Sequence, residues 1–353
     1  MQVGEGSPLP SNAKNREAKR LPYNEFYYKG AIMKLTTENI RSIALGALRV
    51  YEENGYTVLR RFTPYQEEVL AGRNFTPRQF CTAGIKLEFI CPKGEVFFEY
   101  LAQVGAAATC HGVDALCDGI EAFHYYNTTN NYKGNVFFTV PYDGCKVTIY
   151  LSNISDMRIK NLNVPEGYVP AKRKRKILML GDSITHGFNA ERQYLTYANI
   201  LGDRLDAEIL NQGIGGDKFH APNIDPELPF APDIITVAYG TNDWAAEIPE
   251  LAEKIDDYFA KLRKVYPETP VFAIPPIWRG NTDGLVKNGL TLEDVRDLVR
   301  EKAEKYGCLT VNSAKLVPPS EKFYMDRFLH PNDMGFILYG VTLADMIKKE
   351  LKI

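Results

Sequence analysis

The sequence predicts two pieces of different class: an antiparallel β-sandwich, then an α/β piece built on a doubly wound, mostly parallel sheet. Three observations predict this. The chain has 353 residues, enough for two domains. Its texture changes near residue 170, from short β-rich runs to alternating strand and helix patterns. Hydrophobic residues make up 45% and charged residues 24%, so each piece can bury a core.

Before residue 170 the β-rich runs are GYTVL (55–59), IKLEFI (85–90), EVFFEYLA (95–102), NVFFTV (135–140) and KVTIYLS (146–152). IKLEF and KVTIY alternate polar and apolar residues, the period of a half-buried strand. Turn signals separate the runs: Pro92-Lys93-Gly94, Cys117-Asp118-Gly119, Asn131-Tyr132-Lys133-Gly134 and Tyr142-Asp143-Gly144. Few stretches here keep a helical period, which points to a sandwich.

After residue 170, KILMLG (176–181) reads as a strand buried on both faces. A helix is expected over 191–204, and strands at AEILNQG (207–213) and DIITVAYG (233–240). Residues 247–265 carry Ile248, Leu251, Ile255, Tyr258, Phe259 and Leu262 at helical spacing. VFAIPPIW (271–278) is a fourth strand. Residues 291–307 open with Thr291-x-x-Asp294, a capping-box pattern, and end in Gly307. LTVNSAKLV (309–317) is a fifth strand, and a last helix covers about 333–350. The division is therefore a tail at 1–22, a β-sandwich at 23–168, a basic linker at 169–176 and the α/β domain at 177–353. The run from Lys172 to Lys176 reads as a solvated linker, since its neighbours are not basic.

The charge balance, 42 Lys+Arg against 44 Asp+Glu, argues against a non-specific nucleic-acid binder. Residues 1–20 show no apolar stretch after their charges, so no secretory signal, membrane anchor or membrane partner is expected, and a cytoplasmic place follows. The six cysteines, Cys81, Cys91, Cys110, Cys117, Cys145 and Cys308, form no C-x-x-C pair and read as reduced, buried thiols.

In an open α/β sheet, ligands bind at the carboxyl ends of the strands. The first strand there ends in Gly181-Asp182-Ser183-Ile184-Thr185-His186-Gly187, the second in Asn211-Gln212-Gly213-Ile214-Gly215-Gly216-Asp217, and the third in Gly240-Thr241-Asn242-Asp243-Trp244. After the fifth comes Asp326-Arg327-Phe328-Leu329-His330-Pro331-Asn332-Asp333. Each segment alone has a plain explanation as a turn or a cap. Together, at successive strand ends, they bring a Ser, a Gly-rich turn, an Asn and a His to one rim.

This set resembles the SGNH (GDSL) hydrolase family over about residues 174–350, a family with a flavodoxin-like sheet. GDSITHG and GTND are the specific motifs; the Gly-rich block is less so. The resemblance implies Ser183 as nucleophile and His330 as general base. It implies an oxyanion hole formed by Ser183, Gly216 and Asn242. The chemistry suits the types, since a serine hydroxyl needs a base to become nucleophilic and an oxyanion needs N–H donors. The family usually places an Asp three residues before the His, where this chain has Arg327. Either Asp326 reaches the imidazole across one extra residue, or a backbone carbonyl orients His330 in a dyad. Asp333 reads as a cap of the last helix.

Trp244, His186, Trp278 and Arg279 are candidates to line the substrate, with core packing or a local structural role as the competing reading. Asp182 and Asp243 read as turn braces. His111, His124 and His220 read as structural or surface histidines. Glu247, Glu250 and Glu253 read as a solvated helix start, not metal ligands. The mechanism requires no metal or other cofactor.

A β-sandwich of about 140 residues ahead of such a domain resembles the layout of carbohydrate esterase family 2, with a jelly-roll-like first domain. That layout implies an acetylesterase on plant-type oligosaccharides, with an acetylated oligosaccharide as its partner. A lipase or thioesterase acting on longer acyl chains and a non-catalytic carbohydrate-binding protein are the alternatives. Oligomeric state is not legible.

Overall fold

The computed structural model describes residues 31–106, 110–128 and 132–353. The tail at 1–22 and Asn131 lie outside them. The strands of the first half are β1 (Ile32–Lys34), β2 (Ala44–Leu45), β3 (Arg49–Glu53), β4 (Tyr56–Arg60), β5 (Lys86–Cys91), β6 (Gly94–Val104), β7 (His111–Cys117), β8 (Ile120–Asn127), β9 (Tyr132–Val140), β10 (Cys145–Tyr150), β11 (Ser155–Pro165) and β12 (Val169–Pro170). They form two antiparallel sheets, ordered β3-β4-β11-β6-β9 with β1 beside β11, and β12-β5-β10-β7-β8 with β2 beside β5. Strand β6 shows why the sheets pack. Val96, Phe98, Tyr100 and Ala102 are buried, while the residues between them are only part-buried. These join Val136, Phe138, Leu87, Phe89, Val113 and Val147 in one core between the sheets.

Two helices stand in this half, where few stretches keep a helical period: α1 (Thr37–Ile43) and α2 (Pro64–Gly72). Both are short, so apolar periodicity had no room to show. What specifies them is the cap. Thr36 with Asn39 and Thr63 with Gln66 each make a reciprocal capping box. The turn expected at 131–134 is also corrected: Tyr132, Lys133 and Gly134 pair within β9.

The second half holds β13 (Arg175–Gly181), β14 (Ala207–Gly213), β15 (Ile234–Ala238), β16 (Val271–Ala273) and β17 (Leu309–Thr310), all parallel and ordered β14-β13-β15-β16-β17. In local numbering that is 2-1-3-4-5, the flavodoxin-like order whose switch point lies between β13 and β15. Its helices are α3 (Ser183–His186), α4 (Tyr197–Arg204), α5 (Thr241–Ala245), α6 (Leu251–Val265), α7 (Leu292–Lys305) and α8 (Asp333–Leu351). Strand β13 is buried on both faces. Ile177 and Met179 meet the core of α4 and α8, and Leu178 and Leu180 that of α6 and α7.

Several expected bounds shrink. The fourth strand stops at Ala273, ahead of Pro275 and Pro276, which have no N–H for a ladder. The fifth stops at Thr310, and Ser313–Lys315 is a 3₁₀ turn. The helix expected from 191 starts at Tyr197 behind the Thr196 cap, and the one from 247 starts at Leu251. Asn332, not Asp333, caps α8; the Asp333 carboxylate accepts the N–H groups of Glu191 and Arg192 instead.

The basic run is not a solvated linker throughout. Val169 and Pro170 pair with β5. The Arg173 side chain is 6% exposed and bridges Glu88 of the first half to Asp203 of the second. Lys86 Nζ also meets Asp203 at 2.7 Å, and Tyr150 Oη donates to it at 2.7 Å. The second sheet of the sandwich is thus pinned to α4 by polar contacts that converge on the partly exposed Asp203 carboxylate.

Candidate active site

The three central strands end level with one another, because Gly181 pairs with both Gly213 and Ala238. The turns after them therefore open onto one rim. Ser183 is the first residue of α3. Asp182 caps that turn, its Oδ1 accepting the Ile184 N–H at 3.0 Å, and the turn stops at Gly187. A Cβ on Gly181 would lie 2.0 Å from Thr185 Oγ1, so only glycine lets the turn fold back this tightly.

His330 arrives from a loop closed by bridge pairing of Tyr324 with Pro331. Its Nε2 lies 2.8 Å from Ser183 Oγ, and its Nδ1 lies 2.6 Å from Asp326 Oδ2. The other Asp326 oxygen, Oδ1, accepts the N–H groups of Phe328, Leu329 and His330 at 3.2, 2.8 and 3.0 Å. Burial alone would raise the Asp326 pKa. The His330 hydrogen bond and these three N–H groups outweigh it and hold the carboxyl well below the usual carboxylate range.

Gly216 sits at φ +86°, a left-handed conformation that favours glycine. Asn242 lies in α5, and its Nδ2 donates to the Asp217 carbonyl at 3.0 Å. An amide carries two N–H donors, so one is free to point elsewhere. Among the described residues, no acceptor takes the N–H of Ser183 or Gly216. Asp217 is itself held by Arg73 at 2.7 Å and by Asn223.

The four substrate-lining candidates fare differently. Trp244 is 3% exposed; its Nε1 donates to the Leu290 carbonyl, and Arg279 and Lys287 sit over its ring, so it cannot present a face to a sugar. His186 is fully buried, and its Nδ1 accepts the Gly215 N–H at 3.1 Å, so it shapes the Gly-rich turn and does not line the cleft. Burial and the Arg61 charge hold its pKa well below the ordinary value, which keeps Nδ1 free to accept. Trp278 is part-buried against Tyr324, ring centroids 4.8 Å apart. Arg279 is part-buried and donates to the Thr241 carbonyl and hydroxyl, each at 3.1 Å. Of the other histidines, His124 Nδ1 meets Asp114 at 2.6 Å, and His111 stacks on Tyr132.

Three residues around this centre had no sequence signal. Phe188 packs its ring 5.3 Å from that of His330 and belongs to a small cluster with Cys81, Ala106, Cys110 and Tyr126 of the first half. Arg61 and Arg78, also of the first half, reach the Gly-rich turn. Spacing within the α/β half could not point to residues 100 or more positions upstream.

Residues 179–336 match the GDSL-like Lipase/Acylhydrolase family. No curated protein matches the chain. Among solved structures, the chain is similar to the salicylyl-acyltransferase SsfX3 from a tetracycline biosynthetic pathway, at 17% identity and TM-score 0.75, covering 88% of this chain and 94% of that one. It is similar to a putative GDSL-like lipase from Bacteroides ovatus, at 17% identity and TM-score 0.68, covering 92% and 99%. It is also similar to a family two carbohydrate esterase from Cellvibrio japonicus, at 15% identity and TM-score 0.62, covering 92% and 99%. Each match thus takes in both the sandwich and the sheet, over 94–99% of the other chain.

Proposed function

We propose that this chain, whose residues 179–336 match the GDSL-like lipase/acylhydrolase family, is a carboxylic ester hydrolase that removes O-acetyl groups from carbohydrates through an acetyl-serine intermediate. The observation that carries the serine mechanism is the hydrogen-bonded line Ser183–His330–Asp326. His330 Nε2 takes the Ser183 proton as Oγ attacks the acetyl carbonyl. The oxyanion is held by the N–H groups of Ser183 and Gly216 and by the Asn242 amide. The tetrahedral intermediate collapses, His330 returns the proton, and the sugar hydroxyl leaves. A water molecule, deprotonated by His330, then releases acetate and restores Ser183. Ionised Asp326 holds the imidazole with Nε2 facing the serine and stabilises the imidazolium.

The carbohydrate part rests on the shared layout. Family two carbohydrate esterases and an acetyl xylan esterase from Butyrivibrio proteoclasticus carry it over most of their length. All six cysteines are free and buried, which suits a reducing compartment. Soluble oligosaccharides of plant type, not insoluble polymer, are the substrates such a place supplies. Among the described residues, no helix is long and apolar enough to cross a membrane.

A chain-length series of p-nitrophenyl esters tests the acyl group: acetate should be the best substrate, and better activity on decanoate overturns the acetyl reading. Mass spectrometry of acetyl loss from acetylated xylo-, manno- and gluco-oligosaccharides identifies the sugar. Ser183→Ala should abolish turnover; intact hydrolysis would reject Ser183 as nucleophile.

A second reading, acyl transfer to an acceptor hydroxyl, is favoured by the similarity to the salicylyl-acyltransferase. It shares the acyl-serine and differs only in what attacks it. Partition of p-nitrophenyl acetate between acetate and an acetylated alcohol, with sugar and phenolic acceptors present, separates the two.

A further inference from the structure

We propose that Arg61 and Arg78, both contributed by the β-sandwich half, are positioning residues that fix the peptide bearing the Gly216 oxyanion donor. The inference rests on the esterase reading above. Its basis is which oxygens these side chains take. Arg61 Nη1 donates to the carbonyls of Asn211 and Gly213, each at 2.7 Å. Arg78 Nη1 donates to the carbonyl of Gly215 at 2.8 Å. The carbonyls of residues 211, 213 and 215, alternate positions running from β14 into the Gly-rich turn, are thus all held by arginines from the other half. Arg61 is in turn tied to its own half, with Nε on the Cys81 carbonyl at 2.9 Å and Nη2 on the Arg78 carbonyl at 3.3 Å.

The Gly215 carbonyl has a special position. It is the opposite end of the same planar peptide group as the Gly216 N–H. Holding the oxygen sets the direction of that N–H. The peptide lies between two glycines, and Gly216 is at φ +86°, so little in the local chain would resist its rotation. The hydrogen bond on the oxygen also polarises the N–H. Arg78 stands close to the donor itself: a Cβ on Gly216 would lie 3.3 Å from Arg78 Nη1.

The cost of Arg61 makes the same point. Its side chain is fully buried, and among the described residues its hydrogen bonds go to carbonyl groups, not to a carboxylate. Burying a cation without an anion is expensive, and an apolar side chain would fill that space more cheaply. What an apolar side chain cannot do is hold two carbonyls of the turn at fixed positions.

The test is Arg78→Ala, with Arg78→Lys and Arg61→Met beside it, assayed on p-nitrophenyl acetate. Arg78 is only part-buried, so its truncation should disturb the fold less than Arg61→Met. Loss of one oxyanion donor lowers turnover about 10²–10³-fold, so misdirecting it should lower kcat by about 10-fold or more, with KM changed less than about 3-fold. Added guanidinium ions at non-denaturing concentration should restore part of the Arg78→Ala loss, and Arg78→Lys should fall between. A kcat within about 3-fold of wild type overturns the proposal. So does a fall that neither guanidinium nor lysine restores and that tracks a lowered melting temperature, since that is a fold effect. Ser183→Ala is run alongside: if it stays active the esterase reading has failed, whereas an inactive Ser183→Ala with a fully active Arg78→Ala sinks this inference alone.

Discussion

Asp326 Oδ2 lies 2.6 Å from His330 Nδ1, although the two are four residues apart in a motif whose usual spacing is three. The extra residue, Arg327, is absorbed by a left-handed turn at φ +68°. That turn lets Oδ1 collect three consecutive N–H groups while Oδ2 still faces the imidazole. Asp326→Asn should lower kcat by roughly 10²–10⁴-fold, because an amide orients the wrong imidazole tautomer and cannot stabilise the imidazolium. The pKa of Asp326 is held low, so the wild-type carboxylate stays ionised from pH 5 to 9 and contributes no inflection there. Near-wild-type activity in Asp326→Asn would instead indicate a Ser-His dyad.

Arg327 itself has an exposed side chain that, among the described residues, pairs with Glu321, itself exposed, so its backbone, not its charge, is what the loop uses. Arg327→Gly should therefore leave kcat within about 3-fold. Glycine removes left-handed strain of about 1 kcal/mol while adding a comparable entropy cost in the unfolded chain. Arg327→Pro, locked near φ −65°, cannot make the turn and should cost at least about 10-fold in kcat. Circular dichroism melting of both variants, set against their kcat values, checks this. Equal activity of Gly and Pro would show that the turn is not needed.

The strand ends were legible because each carries a local signal: GDS after an apolar run, GTND after another, and the Gly-rich turn between. The parallel order followed from the alternation of periods. Less was legible where tertiary contacts override local pattern. Trp244 follows a site motif, yet its indole N–H found a carbonyl at Leu290 and the ring was buried under two cations. Arg173 sits in a run of five basic residues, and nothing in that run distinguishes the one that meets Glu88 and Asp203. The arginines at 61 and 78 touch the Gly-rich turn only because the halves pack together, a relation that no spacing encodes.

Two buried acids beside the centre make stability depend on pH. Burial pushes both Asp182 and Asp243 up to about 7, Asp182 with help from the nearby Asp243 and Asp217 charges. Among the described residues Asp243 Oδ2 has no hydrogen-bond partner, and a buried anionic oxygen without a donor costs more than a neutral one. An unfolded aspartate titrates near 3.9, so between about pH 4 and 7 the folded state holds protons that the unfolded state has released. Stability therefore falls as pH rises through that window and levels off above it, by up to about 1.4 kcal/mol per pH unit for each group. Asp243→Asn carries no such proton and keeps an acceptor for the Phe219 N–H. Urea unfolding from pH 5 to 8 should show a shallower decline for the variant than for wild type. Parallel declines would show that Asp243 is ionised in the folded enzyme throughout.

The Arg173–Glu88 contact predicts how firmly the sandwich is held to the catalytic sheet. Glu88 exposes 1% of its side chain and also accepts the Thr148 hydroxyl at 3.1 Å, so removing Arg173 leaves a buried carboxylate with, among the described residues, only that neutral donor. Arg173→Met should destabilise the protein by roughly 3–5 kcal/mol, the range for breaking one side of a buried pair. Pairing it with Glu88→Gln removes the orphaned charge and should return a large part of that loss. The sandwich also supplies Arg61 and Arg78 to the Gly-rich turn, so loosening this contact should lower kcat in Arg173→Met more than its folded fraction accounts for. Denaturant melts and kcat measured on the two variants separate these effects. A double variant no more stable than Arg173→Met would mean that the buried charge is not what the arginine compensates.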